Sequence, residues 1–236
     1  MPIRTSLFAA AAVVASSLLF GANAAAAASF DCKKASSRIE HLICDDIDAN
    51  YYDGQLQAAY QGALDRSNHP EQVRQQQRDW LKQRDACGDS ACVAAASKKR
   101  VALLSSLSDE PEICSDDRTL AINACGDEYN RRADLELARY LAAARKRLID
   151  DAADDKVFTA SRDAIPKFDA SQKVWQAYRK AECEAVYTDW SDGTIRGAMY
   201  NACYLALTKE RTRVIWESWL QFMDSTPSLM PEPTTK

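Results

Sequence analysis

The sequence is poor in glycine and proline, the two residues that most often interrupt helices. Each occurs only seven times among 236 residues, and long stretches rich in alanine, leucine, arginine and glutamine contain no β-branched runs. Such a composition favours helix over a sheet of short strands. The hydrophobic fraction of 47% and the charged fraction of 27% are those of a globular protein. We therefore predict an all-α fold, and we exclude bulk disorder, collagen and a β-sandwich.

The sequence also lacks the residues that most catalytic and metal sites need. Its only histidines are His41 and His69, its eight cysteines form no C-x-x-C pair, and it has no glycine-rich phosphate loop and no G-x-S-x-G sequence. A nucleophile needs a base beside it, and zinc or haem sites need ligand spacings that are missing here. Carboxylate pairs such as Glu182 and Glu184 arise freely in so acidic a chain. We predict no catalytic residue, no metal site and no cofactor.

The first 28 residues have the pattern of a cleaved export signal. Arg4 precedes an apolar run over residues 7–20, and small residues follow it. The run is shorter than the ~20 residues of a membrane-spanning helix, and it lacks the cysteine of a lipoprotein signal. We predict a signal peptide over residues 1–28, cut between Ala24 and Ala28, and a periplasmic or secreted protein without a membrane anchor.

The rest of the chain contains one pattern twice. Each copy has an Asp-x-x-Leu sequence and a Gln-x-x-Trp-x-x-x-Arg sequence, with cysteines before and after them. These sequences begin at Asp53 and Gln77 in the first copy, and at Asp134 and Gln172 in the second. Agreement at so many spacings indicates one helical unit used in tandem.

The repeat sets the predicted domain boundaries. We place the first helical domain at residues 29–108 and the second at residues 109–224, with a break at Ser108-Asp109-Glu110-Pro111. Residues 225–236 contain three prolines and are predicted to form a disordered tail. A unit of this size buries only roughly 60% of the surface that its unfolded chain exposes, so we expect disulfides to support both domains.

Neighbouring cysteines are the expected disulfide partners. An exported chain with an even number of cysteines indicates disulfides rather than free thiols, and three pairings are open within each domain if none crosses between domains. Among these we favour neighbours, because a short helical turn or hairpin brings two Cα atoms within the ~4.4–6.8 Å that a disulfide requires. The predicted pairs are Cys32–Cys44, Cys87–Cys92, Cys114–Cys125 and Cys183–Cys203.

Each unit also pairs a tryptophan with an arginine four residues further on, on one face of a helix. The arginine can lie over the indole, and it can form an ion pair with the recurring aspartate. We predict a structural role for these residues, which are Asp53, Trp80, Arg84, Asp134, Trp175 and Arg179.

The second domain carries two features of a protein-binding surface. Residues 29–108 have 11 basic and 11 acidic side chains, whereas residues 109–236 have 18 and 23, which disfavours nucleic acid as a partner and favours a cationic protein. In addition, aromatic and acidic residues alternate in the loop between Cys183 and Cys203, as suits protein recognition. A role in solubility alone and a plain connecting loop remain the alternatives. The predicted partner contacts are Tyr187, Asp189, Trp190 and Asp192.

At the cysteines and the Gln-x-x-Trp-x-x-x-Arg helices, both units resemble the LprI family of bacterial lysozyme inhibitors. The resemblance covers nearly all of residues 30–220. It implies a small helical, disulfide-linked envelope protein that inhibits lysozyme by direct binding, and it implies no inhibitory residue, because the matched positions belong to the scaffold. The matching sequences are Phe30-Asp31-Cys32, Glu40-x-x-x-Cys44, residues 77–87, Trp175-x-x-x-Arg179-x-x-x-Cys183 and Cys203-x-x-x-Leu207-Thr208-x-Glu210-Arg211.

Residues and resemblance together predict a non-enzymatic exported binding protein. Its predicted partner is a protein, for which a cationic lysozyme is the candidate. The first alternative is an envelope scaffold or stress-associated interaction protein without affinity for lysozyme. The second, less favoured alternative is a cell-wall hydrolase.

Overall fold

A computed structural model describes residues 28–153, 159–224 and 226–233. The predicted signal peptide lies outside the described residues, except for Ala28. The described residues form helices and connecting turns without any strand, so the predicted all-α fold is confirmed. None of these helices combines the length and the apolar character that a membrane span needs. The helices are α1 (Arg38–Cys44), α2 (Ile47–Arg66), α3 (Pro70–Arg84), α4 (Ser90–Ser106), α5 (Thr119–Ala153), α6 (Thr159–Asp189) and α7 (Arg196–Ile215).

Short polar residues begin the helices of the first unit. Ser37 and Glu40 form the two reciprocal hydrogen bonds of a capping box at the start of α1. The carboxylates of Asp46 and Asp89 accept hydrogen bonds from backbone N–H groups in the first turns of α2 and α4. Pro70 begins α3, where its fixed φ suits a first helical position.

Each unit packs a long helix against the last helix of the unit, and a return helix completes the bundle. In the first unit α2 packs against α4, and in the second α5 packs against α7, with α3 and α6 as the return helices. Ile43, Val93 and Leu104 are fully buried in the first unit, as are Ile215 and Leu220 in the second. Burial of each such side chain stabilises the fold by about 1.5–3 kcal/mol.

The eight cysteines form four disulfides, and the pairs are the neighbours that the sequence predicts. The Cα atoms are 5.7 Å apart in Cys32–Cys44, 5.6 Å in Cys87–Cys92, 4.8 Å in Cys114–Cys125 and 5.6 Å in Cys183–Cys203. Each bond therefore closes a short segment inside one unit. The last pair holds the turn between α6 and α7.

Residues 226–233 of the predicted tail differ from the expectation of disorder. Met230 is buried in the core of the second unit, and its carbonyl accepts a hydrogen bond from Trp216 Nε1 (2.9 Å). Tyr140 Oη donates to the Pro231 carbonyl (2.7 Å), and Gln55 Nε2 of the first unit donates to the Ser228 carbonyl (2.9 Å). Proline disfavours helix in this segment, but the segment's apolar side chains can still pack in a core and its carbonyls can still accept hydrogen bonds.

The two units are joined by polar contacts as well as by the chain. Arg132 on α5 donates to the carbonyls of Arg66 (2.6 Å) and Asp109 (2.8 Å), and to Asn68 Oδ1 (2.9 Å). These bonds fix the end of α2 and the segment between the units against α5. The proposed break at residues 108–111 falls in this segment, and the domain boundaries remain a prediction.

Gly126 lets α5 approach α7 closely, and we expect its replacement to be costly. A Cβ atom at Gly126 would lie 2.7 Å from the Cβ of Asn201 on α7, so the two helices must move apart. Gly126→Ala should lower the free energy of unfolding by about 1–3 kcal/mol, the usual range for overpacking. Urea denaturation measures this change.

Gly88 offers the control, since a Cβ atom there would meet nothing within 4 Å. Gly88→Ala should therefore leave stability within about 0.5 kcal/mol of the parent protein. Equal effects of the two substitutions would show that the helices do not meet at Gly126.

Candidate functional site

The predicted structural residues of the first unit meet around one tryptophan. Arg84 and Arg100 both lie near the ring of Trp80, with their guanidinium carbons 5.6 Å and 5.8 Å from the ring centroid. Arg84 Nη1 is 3.3 Å from Asp53 Oδ1, and Arg100 Nε donates to Gln77 Oε1 (2.9 Å). The cluster therefore ties α2, α3 and α4 together.

The second unit repeats this cluster with the corresponding residues. The guanidinium carbons of Arg179 and Arg211 are 4.6 Å and 5.7 Å from the centroid of the Trp175 ring. Arg179 Nη1 is 2.7 Å from Asp134 Oδ1, and Arg211 Nε donates to Gln172 Oε1 (3.1 Å). Each indole thus has two arginines near its ring, and the sequence predicted only one of the two. The signal for the second was present, because an arginine follows the preceding cysteine by eight residues in both units.

The four predicted partner contacts lie together at one end of the second unit. Tyr187 and Asp189 belong to the last turn of α6, whereas Trp190 and Asp192 belong to the turn that follows it. The sequence predicts a loop at Tyr187, whereas the structure places this residue in α6. All four side chains are exposed, with Tyr187 at 41% and Trp190 at 40%, far above what a core aromatic residue shows.

This turn is held in place. The backbone N–H of Trp190 donates to the Val186 carbonyl (3.2 Å), and that of Gly193 donates to the Trp190 carbonyl (3.0 Å). The Cys183–Cys203 disulfide joins the helices on either side. An ordered turn that presents aromatic side chains to solvent loses little conformational entropy when it binds.

A row of tyrosines leads from this turn along α7. The ring centroids of Tyr187 and Tyr200 are 6.4 Å apart, and those of Tyr200 and Tyr204 are 6.1 Å apart. Tyr204 Oη donates to Asp134 Oδ2 (2.8 Å). Burial and this carboxylate raise the pKa of Tyr204 to about 12, so it stays a neutral donor at physiological pH.

The row ends in an open groove between α5 and α7 that the sequence did not predict. The groove has a volume of about 450 Å³. Its α5 wall could have been recognised from the spacing of Asp127, Asn130 and Asp134, which places three polar residues on one helical face. The lining residues are Asp127, Asn130, Arg131, Asp134, Leu135, Tyr200, Asn201 and Tyr204.

The residues considered for catalysis and metal binding are scattered. His41 and His69 are both exposed and belong to the first unit. In the described ranges, no three side chains of histidine, cysteine, aspartate or glutamate converge on a point where a metal ion could be held. The surface of the second unit, with its aromatic turn and its groove, is therefore the candidate site.

Both units of this chain match a known family, and one known protein is similar to part of the chain. The family model described as lysozyme inhibitor LprI matches residues 32–110 and again residues 114–214. An uncharacterized protein of Rhizobium meliloti strain 1021 is 27% identical over 112 residues, which cover 46% of this chain and 78% of that protein. No solved structure matches. The two segments that match the family model coincide with the two copies of the repeated pattern.

Proposed function

The chain belongs to the LprI lysozyme inhibitor family, and from this membership we propose that it is an exported, non-enzymatic protein that binds a lysozyme directly and blocks its cleft. The double match to the family is the observation that carries the proposal, because each unit satisfies the family pattern separately. Four disulfides fit an oxidising compartment. We therefore place the protein in the periplasm or outside the cell.

The aromatic turn of the second unit supplies the contact in this proposal. Tyr187 and Trp190 present rings that can be buried by a partner, and aromatic residues of this kind contribute most of the binding energy in many interfaces. Asp189 and Asp192 flank them as exposed carboxylates. A rim of charge around an aromatic centre favours specificity and fast association with a partner of opposite charge.

The charge of the second unit indicates which lysozymes fit. Residues 109–236 carry 18 basic and 23 acidic side chains, so the unit attracts a cationic protein at long range. Lysozymes with a basic surface are the proposed targets. The first unit, which has equal numbers of basic and acidic side chains, contributes little to this attraction.

Substitution of Trp190 tests the proposal. The parent protein, titrated into a lysozyme acting on suspended bacterial walls, should slow the clearing of the suspension. Trp190→Ala should weaken this inhibition by on the order of tenfold or more, because it removes a large exposed ring from the contact. The inhibition constant measured from the clearing rate gives the size of the effect.

Tyr178→Ala is the matched control, since Tyr178 is a 51% exposed aromatic residue of α6 outside the turn. It should leave inhibition unchanged, and the melting temperatures of both variants should match that of the parent. Unslowed clearing with the parent protein would favour the envelope scaffold, whereas clearing without added lysozyme would favour a cell-wall hydrolase. Equal loss in both variants would remove the turn from the contact.

A further inference from the structure

The first unit shows what covers the aspartate of the repeat. Ser29 donates its backbone N–H (2.9 Å) and its hydroxyl (2.7 Å) to Asp53 Oδ2. Ala28 lies in the same buried cluster as Val93 on α4. A short segment of chain before the first helix therefore covers this face of the bundle, and the side chain of Asp53 is only 5% exposed.

The corresponding face of the second unit is open. Asp134 corresponds to Asp53 in the repeat, and Tyr204, directly after its cysteine, corresponds to Val93. Tyr204 Oη provides one of the hydrogen bonds that Ser29 provides in the first unit. The side chain of Asp134 nevertheless stays 44% exposed, and the groove between α5 and α7 begins beside it.

The groove contains an acceptor that has not been satisfied. Asn130 is only 8% exposed, and its Nδ2 donates to Asn201 Oδ1 (3.0 Å). Its own Oδ1 finds no hydrogen-bond partner among the described residues. A buried polar atom without a partner costs about 1–3 kcal/mol. This oxygen is itself almost fully shielded from solvent, so a donor that enters the groove gains this energy only when the Asn130 amide turns toward it.

The charges that line the groove favour one kind of hydrogen-bond donor. Arg131 is held by both oxygens of Glu128, and Arg179 is held by Asp134. Asp127 is exposed, and its Oδ1 accepts a hydrogen bond from the Asn201 amide (3.0 Å). The remaining carboxylate favours a cation, and the ring of Tyr200 on the opposite wall favours a planar one.

We propose that the groove between α5 and α7 holds an extended segment of a protein partner, with one arginine of that segment inserted between Asp127, Asn130 and Tyr200. The fork of a guanidinium group can donate to a carboxylate and to an amide oxygen at once, which an ammonium does less well. The precedent is the first unit, where a segment of this chain occupies the same face. Only the identity of the partner as a lysozyme rests on the proposed function.

Two substitutions test the groove without disturbing the fold. Asp127→Asn removes the charge but keeps an oxygen for Asn201, and Leu135→Arg adds a cation at a position that is 37% exposed. Each should raise the dissociation constant for a cationic lysozyme by about tenfold or more. Asp163→Asn, which makes the same charge change at an exposed site on α6, should leave the constant unchanged.

A peptide-binding experiment distinguishes this inference from the proposed function. The peptide acetyl-Ala-Ser-Arg-Gly-amide should shift the NMR signals of Asn130 and Tyr200 in the exported protein, whereas acetyl-Ala-Ser-Glu-Gly-amide should not. If the parent binds no lysozyme but the arginine peptide binds, the groove stands and the lysozyme proposal fails. If lysozyme binds the parent and both groove variants equally, the groove assignment is overturned and the lysozyme proposal stands. If neither ligand binds, both are overturned.

Discussion

Truncation after Asp224 should lower the free energy of unfolding by about 4–7 kcal/mol. The truncation removes Met230 from the core of the second unit, which is a loss of the size seen for large-to-small core substitutions. It also leaves Trp216 Nε1 and Tyr140 Oη without the carbonyls that they bind, and each lost hydrogen bond costs about 1 kcal/mol more. Urea denaturation of parent and truncated protein, followed by tryptophan fluorescence, measures the difference.

Glu232→Gln is the control for this truncation. It breaks only the exposed ion pair of Glu232 with Arg213 (3.0 Å), and exposed pairs of this kind contribute at most about 1 kcal/mol. A truncated chain as stable as the parent would show that residues 226–233 do not hold the second unit together.

The features set by short-range spacing were predictable from the sequence. Cys87 and Cys92 are five positions apart, and a helix begins between them. Their Cα atoms are therefore held within the distance that a disulfide requires. An arginine four residues after a tryptophan lies on the same helical face whatever the rest of the fold does. The repeat then supplied the second copy of each feature. The family prediction is confirmed by the match of the family model to residues 32–110 and 114–214.

The features that depend on which segment covers which face were not predictable. The two units share their spacings, yet Ser29 covers Asp53 in the first unit, whereas Tyr204 reaches Asp134 in the second. The difference arises from one residue after a cysteine and from a segment outside the repeat. The groove follows from this difference, so no count of charges or aromatic residues reveals it.

The prediction of a disordered tail differs from the structure of residues 226–233 for a related reason. Proline content predicts the absence of helix, but it does not predict the absence of packing. Leu229 N–H donates to the Leu220 carbonyl (2.8 Å), and Met230 is buried in a core cluster that includes residues of α5, α6 and α7. A composition rule cannot recognise a single apolar side chain that fits a cavity formed by distant helices.

The second large effect is expected at Arg132, a side chain of α5 that binds the end of α2 and the segment between the units. Arg132→Met keeps most of the volume but removes the donors to the carbonyls of Arg66 and Asp109 and to Asn68 Oδ1. Loss of one partner from such a buried charged network typically costs about 3–5 kcal/mol, because the other polar groups stay buried without it. Urea denaturation should show this loss. It should also show a second transition if the units then unfold separately.

Arg131→Met is the matched control, because both arginines bind the same carboxylate of Glu128 and differ in burial. The side chain of Arg132 is 9% exposed and that of Arg131 is 56% exposed. An exposed ion pair contributes at most about 1 kcal/mol, so Arg131→Met should cost far less, with a single transition retained. Equal losses in the two variants would mean that Glu128 is the important partner of Arg132. In that case the carbonyls at the end of α2 and in the segment before α5 would not be what holds the units together.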